Sequence, residues 1–339
     1  MPGAMTISSA PSSETSFPET EAFPSVAIIV VYFGALPQYF QLWLDSCRRN
    51  DRFEWLVFTD ADATEYSVPG NVHFRALTLD GFSQKMSAAL GIACSLGSPY
   101  KVCDFRPIFW ALLDGEPRTY DFWGHCDLDM IFGDLKRFIT AELLARYDKL
   151  FSVGHLTLYR NCQTTNEMFR QPHPDVDWRA ILADPRHRGF DEHIGVSRIW
   201  RAHGGRFYKN ERIIADIDPA IKHFECMTPM KNYRRQLFYY DDGRVRRVYR
   251  QGGRWRNEEF MYIHFQKRPM LAIPKAPARC YAIAPGGFYE LPFDAAPASY
   301  VEELNKHAFR FREAMHRWRF AFRLLRRRHG LGPAAPRLV

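Results

Sequence analysis

Val26-Ala-Ile-Ile-Val-Val-Tyr32 is a continuous run of β-branched and apolar residues, and it decides the fold. An alternating pattern would bury one face only; an unbroken run belongs to a strand covered on both faces, as in a parallel sheet. Downstream, a helical pattern runs from Pro37 to about Cys47, with proline at its start. Trp55 to Thr59 is a second strand, closed by Asp60, and Asn71 to Leu77 a third, with a helix expected from Phe82 to Leu96. Strands alternating with helices predict βαβ units: an α/β fold with a mostly parallel sheet flanked by helices. In such sheets ligands sit at the carboxyl ends of the strands.

Farther along, Tyr100 to Pro107 opens an aromatic helix ending near Gly115, and Tyr120 to Asp129 reads as a strand running into a carboxylate pair. Asp134 is expected to cap a helix through Leu144, followed by strands at 149–153 and 155–159 and a helix from Asp191 to Gly204. The pattern then turns antiparallel, with a hairpin at 238–250 around Asp242-Gly243 and a last strand from Phe260 to Phe265. From Leu304 apolar residues recur every three or four positions through Leu325, opposite Arg310, Arg312, Arg317, Arg319 and Arg323, the pattern of an amphipathic helix. The organisation expected is a disordered leader over 1–24, a catalytic domain over 25–295, and a basic amphipathic helix and tail over 296–339.

The chain has 339 residues and a formal charge of +8, from 46 Lys and Arg against 38 Asp and Glu. With 46% hydrophobic and 15% aromatic residues, the composition excludes a largely disordered chain. Residues 301–339 hold ten of the basic residues against three Glu, which leaves 36 against 35 in the other 300. A near-neutral body without a basic stripe or a nucleic-acid module argues against nucleic acid as partner. The tail suits either an anionic membrane surface or packing of its apolar stripe on the core. No run approaches the roughly 18–20 apolar residues that span a bilayer. The leader has no Lys or Arg and so lacks the start of a secretory signal. Seven cysteines without CxxC spacing suit a reduced, cytoplasmic setting.

Chemistry concentrates in a few places. In a strand, Asp127 and Asp129 would share a face, and two converging carboxylates call for a compensating cation; Mg²⁺ or Mn²⁺ bridging to a diphosphate is the usual answer. Lys101, Asp104 and Arg106 suit a sugar-phosphate, or equally a helix cap with a local ion pair. His264 is a competent third ligand or a core histidine, and Lys267 a point charge for phosphate. Asp191-Glu192 either favours a helix dipole or supplies a base. Asp60 is a turn residue or a nucleoside contact.

Together these segments carry a pattern: Tyr-Phe-Gly34, Phe-Thr-Asp60, Tyr-Lys-x-Cys-Asp-Phe-Arg-Pro107, Asp-Phe-Trp-Gly-x-Cys-Asp-x-Asp-x-x-Phe-Gly-Asp134, Gly-His-Leu-x-Leu-Tyr-Arg-Asn161 and Tyr-Ile-His-Phe-Gln-Lys-Arg268. From Val26 to Arg268 the chain resembles an uncharacterised bacterial family (DUF6625-like) of polysaccharide biosynthesis loci, placed among GT-A glycosyltransferases. More broadly it is similar to mannosyl- and galactosyltransferases in which an Asp-x-x-Arg helix precedes a Tyr-x-Asp-x-Asp strand end; here the spacing is Asp104-Phe-Arg106. The resemblance implies a nucleotide-diphosphate sugar donor, a saccharide or lipid-linked acceptor, and Mn²⁺ or Mg²⁺ as cofactor. It assigns Asp127 to ribose or metal, Asp129 to metal, His264 to completing the coordination, and Lys267 to the diphosphate. Lys101, Asp104 and Arg106 would hold the donor, while Phe33, Gly34 and Asp60 would line the nucleoside pocket. Asp191 or Glu192 would lie beside the acceptor of this hexosyltransferase, as base if the reaction inverts; retention, towards which the likeness to retaining relatives leans, would need none. A cytoplasmic enzyme peripheral to the inner face of the plasma membrane is the setting implied. The competing readings are a metal-dependent phosphoesterase and a non-catalytic membrane-surface binder.

Overall fold

The computed structural model describes residues 23–304 except 228, 267, 275–277 and 293–295. The chain is mixed α/β. Its main sheet has seven strands: β1 (Val26–Tyr32), β2 (Phe53–Thr59), β3 (Val72–Ala76), β4 (Phe122–Cys126), β6 (Lys149–Val153), β7 (Leu156–Arg160) and β8 (Phe207–Tyr208), in the order β3-β2-β1-β4-β7-β6-β8. Strands β3, β2, β1 and β4 are parallel; β7 pairs antiparallel with both β4 and β6. A three-stranded sheet joins β5 (Met130–Phe132), β9 (Ile214–Asp216) and β13 (Tyr262–His264). The remaining strands, β10 (Gln236–Asp241), β11 (Arg244–Gln251), β12 (Arg254–Phe260), β14 (Cys280–Ala284) and β15 (Gly287–Glu290), form an antiparallel sheet.

The run from Val26 to Val30 is buried because its side chains alternate between two cores. Val26, Ile28 and Val30 pack with Phe40, Trp43 and Leu44 of helix α1 (Phe40–Arg48). Ala27 and Ile29 face Phe82, Met86 and Leu90 of helix α2 (Leu79–Leu90). The second face is also covered by Phe105 and Phe109 of the 99–112 segment, so both faces are closed to water and a polar residue in the run would be buried.

Several boundaries differ from those expected. Helix α1 begins at Phe40 because residues 37–39 form a turn, closed by the Phe40 amide on the Pro37 carbonyl. Helix α2 stops at Gly91, whose φ of 68° is the left-handed conformation that ends helices. The aromatic segment Pro99–Leu112 is a chain of 3₁₀ turns, since Pro107 in its interior cannot donate to an α-helical ladder. Asp134 makes no side-chain cap; Leu135–Arg137 is one 3₁₀ turn, and Thr140 caps a separate helix, Ala141–Arg146. The helix expected from Asp191 starts only at Val196, leaving Asp191 and Glu192 in the preceding turns.

The Asp242-Gly243 hairpin forms with both residues at positive φ, 43° and 94°. A second hairpin at Gly252-Gly253 follows it, and the segment 260–265 divides between β12 and β13, which belong to different sheets. It is not the last strand, because β14 and β15 come after it. Among the described residues no helix is long and apolar enough to cross a membrane. The leader up to residue 22 and the tail from 305 lie outside the described residues.

Close packing fixes the strand that delivers the acidic pair. A Cβ built on Gly124, opposite Leu158 in the β4–β7 pair, would stand 2.4 Å from both the Thr157 carbonyl oxygen and Leu158 Cδ2. Backbone on one side leaves little room to relax. Gly124→Ala should therefore lower stability by about 1–3 kcal/mol, read as an earlier urea midpoint at unchanged m-value.

Candidate functional site

The carboxyl ends of β1, β4, β9 and β13 open on one cavity of about 770 Å³. Asp127 and Asp129 lie in the bend between β4 and β5, outside any strand, so the pleat is not what aligns them. Leu128 between them is sunk in the core, and backbone bonds hold the bend on both sides: Asp127 N–H donates to the His155 carbonyl (3.1 Å) and Phe265 N–H to the Asp129 carbonyl (3.0 Å). Register does the rest. His264 pairs with Met130 of β5 on one side and Asp216 of β9 on the other. Its Nε2 stands 3.3 Å from Asp129 Oδ1 and 3.8 Å from Asp127 Oδ2, while Nδ1 meets Asp216 Oδ1 at 2.8 Å.

Burial pulls the His264 pKa down, but Asp129 and Asp216 outweigh it and raise it to about 10. The imidazolium therefore neutralises the carboxylates in the way a cation would. Two carboxylates and an imidazole whose ligand atoms all lie within 4.8 Å of one another, with Nδ1 engaged and Nε2 facing the cavity, are a donor set that fits a hard divalent ion with positions left open. Burial opposes ionisation of Asp216, yet the His155 ring 3.7 Å away and the hydrogen bond with His264 hold it well below the usual carboxylate range.

Arg106 is the second organiser. One guanidinium nitrogen donates to Asp191 Oδ2 (2.7 Å) and to the Gly154 carbonyl (2.7 Å); the other donates to Asp127 Oδ1. A Cβ on Gly154 would lie 2.9 Å from Asp191 Oδ2, so this clamp closes over a glycine. Asp191 is only 2% exposed, and its Oδ1 has no hydrogen-bond partner among the described residues. Burial pushes its pKa up, against the pull of Arg106, to about 7.

Of the twelve residues singled out in the sequence, the cavity is lined by Phe33, Arg106, Asp127, Asp129, Asp191, Glu192 and His264. Lys101 and Asp104 are elsewhere. Both are wholly buried, and all their bonds are internal: Lys101 Nζ donates to Asp104 Oδ2, the Ile181 carbonyl and the Arg186 carbonyl, and Asp104 accepts from the Arg188 and Phe190 amides. The pair staples the 181–190 loop that presents Asp191. Gly34 and Asp60 bond to each other, amide to Oδ1 at 2.8 Å, and line a separate depression of about 410 Å³ with Glu65 and Tyr66. Lys267 lies outside the described residues.

Asp216 and His155 were missed in the sequence. His155 stacks on His264 with ring centroids 4.2 Å apart, and the Tyr262 hydroxyl meets its Nδ1 at 2.8 Å. The Gly154-His155 pair was a visible signal; Ile-Ala-Asp216 at an ordinary strand end offered none. Removing one partner of the buried Lys101–Asp104 pair strands a charge in the core. Lys101→Met should lower stability by about 3–5 kcal/mol in chemical denaturation. The double variant Lys101→Met/Asp104→Leu should recover much of that loss.

No curated protein matches the chain. Among solved structures it is similar to the glycosyltransferase GlyE of Streptococcus pneumoniae TIGR4, at 14% identity and a TM-score of 0.25 over 55% of this chain. The match spans 45% of the GlyE chain, less than half its length. The family model that matches, from residue 28 to residue 292, covers most of the sequence. The chain belongs to the family of unknown function DUF6625.

Proposed function

We propose that this protein is a GT-A-type glycosyltransferase that moves a sugar from a nucleotide-diphosphate donor to a saccharide or lipid-linked acceptor. The observation that carries the reading is the convergence of Asp127, Asp129 and His264 with the Arg106–Asp191 pair in one cavity at the strand ends. Its volume is within the usual range for small-molecule sites, roughly 300–1,000 Å³.

Asp127, Asp129 and His264 would hold Mn²⁺ or Mg²⁺. Bound there, the ion would neutralise charge on the departing diphosphate. Asp216 fixes the imidazole so that Nε2 faces the carboxylates. Arg106 holds Asp127 and Asp191 at a set separation. In the transfer, the bond between the anomeric carbon and the phosphate oxygen breaks, the acceptor oxygen bonds that carbon, and its proton passes to Asp191 Oδ1. That unpartnered oxygen favours the inverting course, with Glu192 beside it on the acceptor side. Phe33 would contact the donor base from the end of β1, and Lys267 is assigned to the diphosphate on the family resemblance. Lys101 and Asp104 act through the loop they staple, and Gly34 and Asp60 through the turn they close.

One observation favours the phosphoesterase reading: His155 and Asp216 form a second possible ligand cluster with His264. Product identity separates the two. Incubated with nucleotide-diphosphate sugars and Mn²⁺, the glycosyltransferase releases nucleoside diphosphate; a phosphoesterase releases nucleoside monophosphate or inorganic phosphate. Asp129→Asn should abolish turnover with the fold intact, and the absence of donor binding or turnover across a donor panel would refute the proposal.

Asp216→Asn should weaken Mn²⁺ binding tenfold to a hundredfold, measured by calorimetry. Because the base acts deprotonated, turnover should rise with pH through about 7. Asp191→Asn should slow it by about 10²–10⁴ and remove that limb, with donor affinity held within a few fold.

A further inference from the structure

The near-neutral average of residues 1–300 conceals a local concentration of charge. Arg244 to Arg256, Arg-Val-Arg-Arg-Val-Tyr-Arg-Gln-Gly-Gly-Arg-Trp-Arg, holds six arginines and no carboxylate in thirteen residues. A basic stripe does exist within the body, and the fold decides how much of it reaches solvent. Arg247 is buried and paired with Glu258, Arg246 bonds Asp241, and Arg244 faces Glu259 at 3.7 Å. Arg250, Arg254 and Arg256 remain exposed, with no acidic partner among the described residues; Arg250 makes one bond, to the Gly253 carbonyl.

These three surround the Gly252-Gly253 turn at the tip of the β11–β12 hairpin, and β12 is an edge strand. Between Arg254 and Arg256 stands Trp255, 41% exposed. The register places Trp255 opposite Arg250, with Arg254 and Arg256 turned to the other face. The tip therefore presents an indole beside one arginine on one face and two arginines on the other.

We propose that the β11–β12 hairpin tip docks on an anionic lipid surface, with Trp255 seated among the headgroups and Arg250, Arg254 and Arg256 on their phosphates. Charge complementarity supports the assignment: unpaired arginines gain most from a surface of negative potential. The exposed ring narrows the choice. An indole with an apolar body and one N–H suits the headgroup boundary, whereas a soluble polyanion would need only the cations. Continuity supports it as well. Val301 packs with Leu237, Tyr239 and Val248 of the same sheet, so the described chain ends beside this hairpin's sheet, and the following 35 residues hold ten Lys and Arg against one Glu.

Co-sedimentation of the full chain with vesicles tests the proposal, using phosphatidylcholine alone and phosphatidylcholine with about 30% phosphatidylglycerol. Wild type should bind the anionic vesicles, bind the neutral ones far less, and release at high salt. Arg250→Gln/Arg254→Gln/Arg256→Gln should weaken binding by about fivefold per arginine, on the order of a hundredfold together. Trp255→Ser should weaken it further at unchanged charge. The matching Arg→Lys triple variant should stay within a few fold of wild type, which a mere loss of fold would not allow. Equal binding by wild type and the Gln triple variant overturns the proposal. So does equal binding to neutral vesicles. If the Gln triple variant loses the wild type's binding to soluble dextran sulfate while its vesicle binding stays intact, the proposal is overturned in favour of a polyanionic polysaccharide.

Discussion

Six carboxylates line one cavity, and the site depends on how the charge of four of them, those of Asp127, Asp129, Asp191 and Asp216, is balanced. Like charges this close in a low dielectric repel strongly unless cations are interposed. Arg106 sits between Asp127 and Asp191, and His264 sits among Asp127, Asp129 and Asp216. Each cation is gripped from more than one side, so neither can swing away without leaving a buried charge uncompensated. The arrangement is rigid and electrically poised. On the proposed function, a divalent ion at Asp127 and Asp129 would take over the neutralising role of the proton on His264, a coupling expected wherever a ligand must deprotonate to bind metal.

That balance is supported from outside the cavity. The Lys101–Asp104 pair never meets solvent, yet it ties the 3₁₀ segment carrying Arg106 to the loop carrying Asp191. The short sheet β5-β13-β9 does the same for the other cation. It brings strand ends from residues 130, 216 and 264 into register, and the meeting of His264 with Asp129 and Asp216 follows from three hydrogen-bonded neighbours. Cavity charge and surface charge are kept apart: the cavity cations are committed to carboxylates, while arginines without an acidic partner among the described residues gather at a hairpin tip in a different sheet.

Much of this was legible in the residues, for reasons that can be named. The Val26–Tyr32 run could only be a two-sided strand, because no polar residue interrupts it. Asp127 and Asp129 announced themselves as an acidic pair after a hydrophobic strand. Their mutual alignment comes from a bend anchored by Leu128, which spacing alone does not distinguish from a pleat. Lys101 and Asp104 looked like ligand groups because they neighbour Arg106 in sequence. In a 3₁₀ segment, two positions, from Asp104 to Arg106, are enough to send one side chain into the core and another into the cavity. The helix expected at Asp191 starts later because Gly195, its N-cap, has non-helical backbone angles and the Val196 amide turns back to the Phe190 carbonyl.

By itself the sequence determined the class of fold, the acidic pair and the candidate His264. These are properties of pattern and composition, which local sequence carries. Only the tertiary structure decided which charges compensate one another. Asp216 joins His264 across 48 positions, and Arg106 joins Asp191 across 85. Partnerships at such separations are set by strand register and loop packing, and no spacing along the chain encodes them.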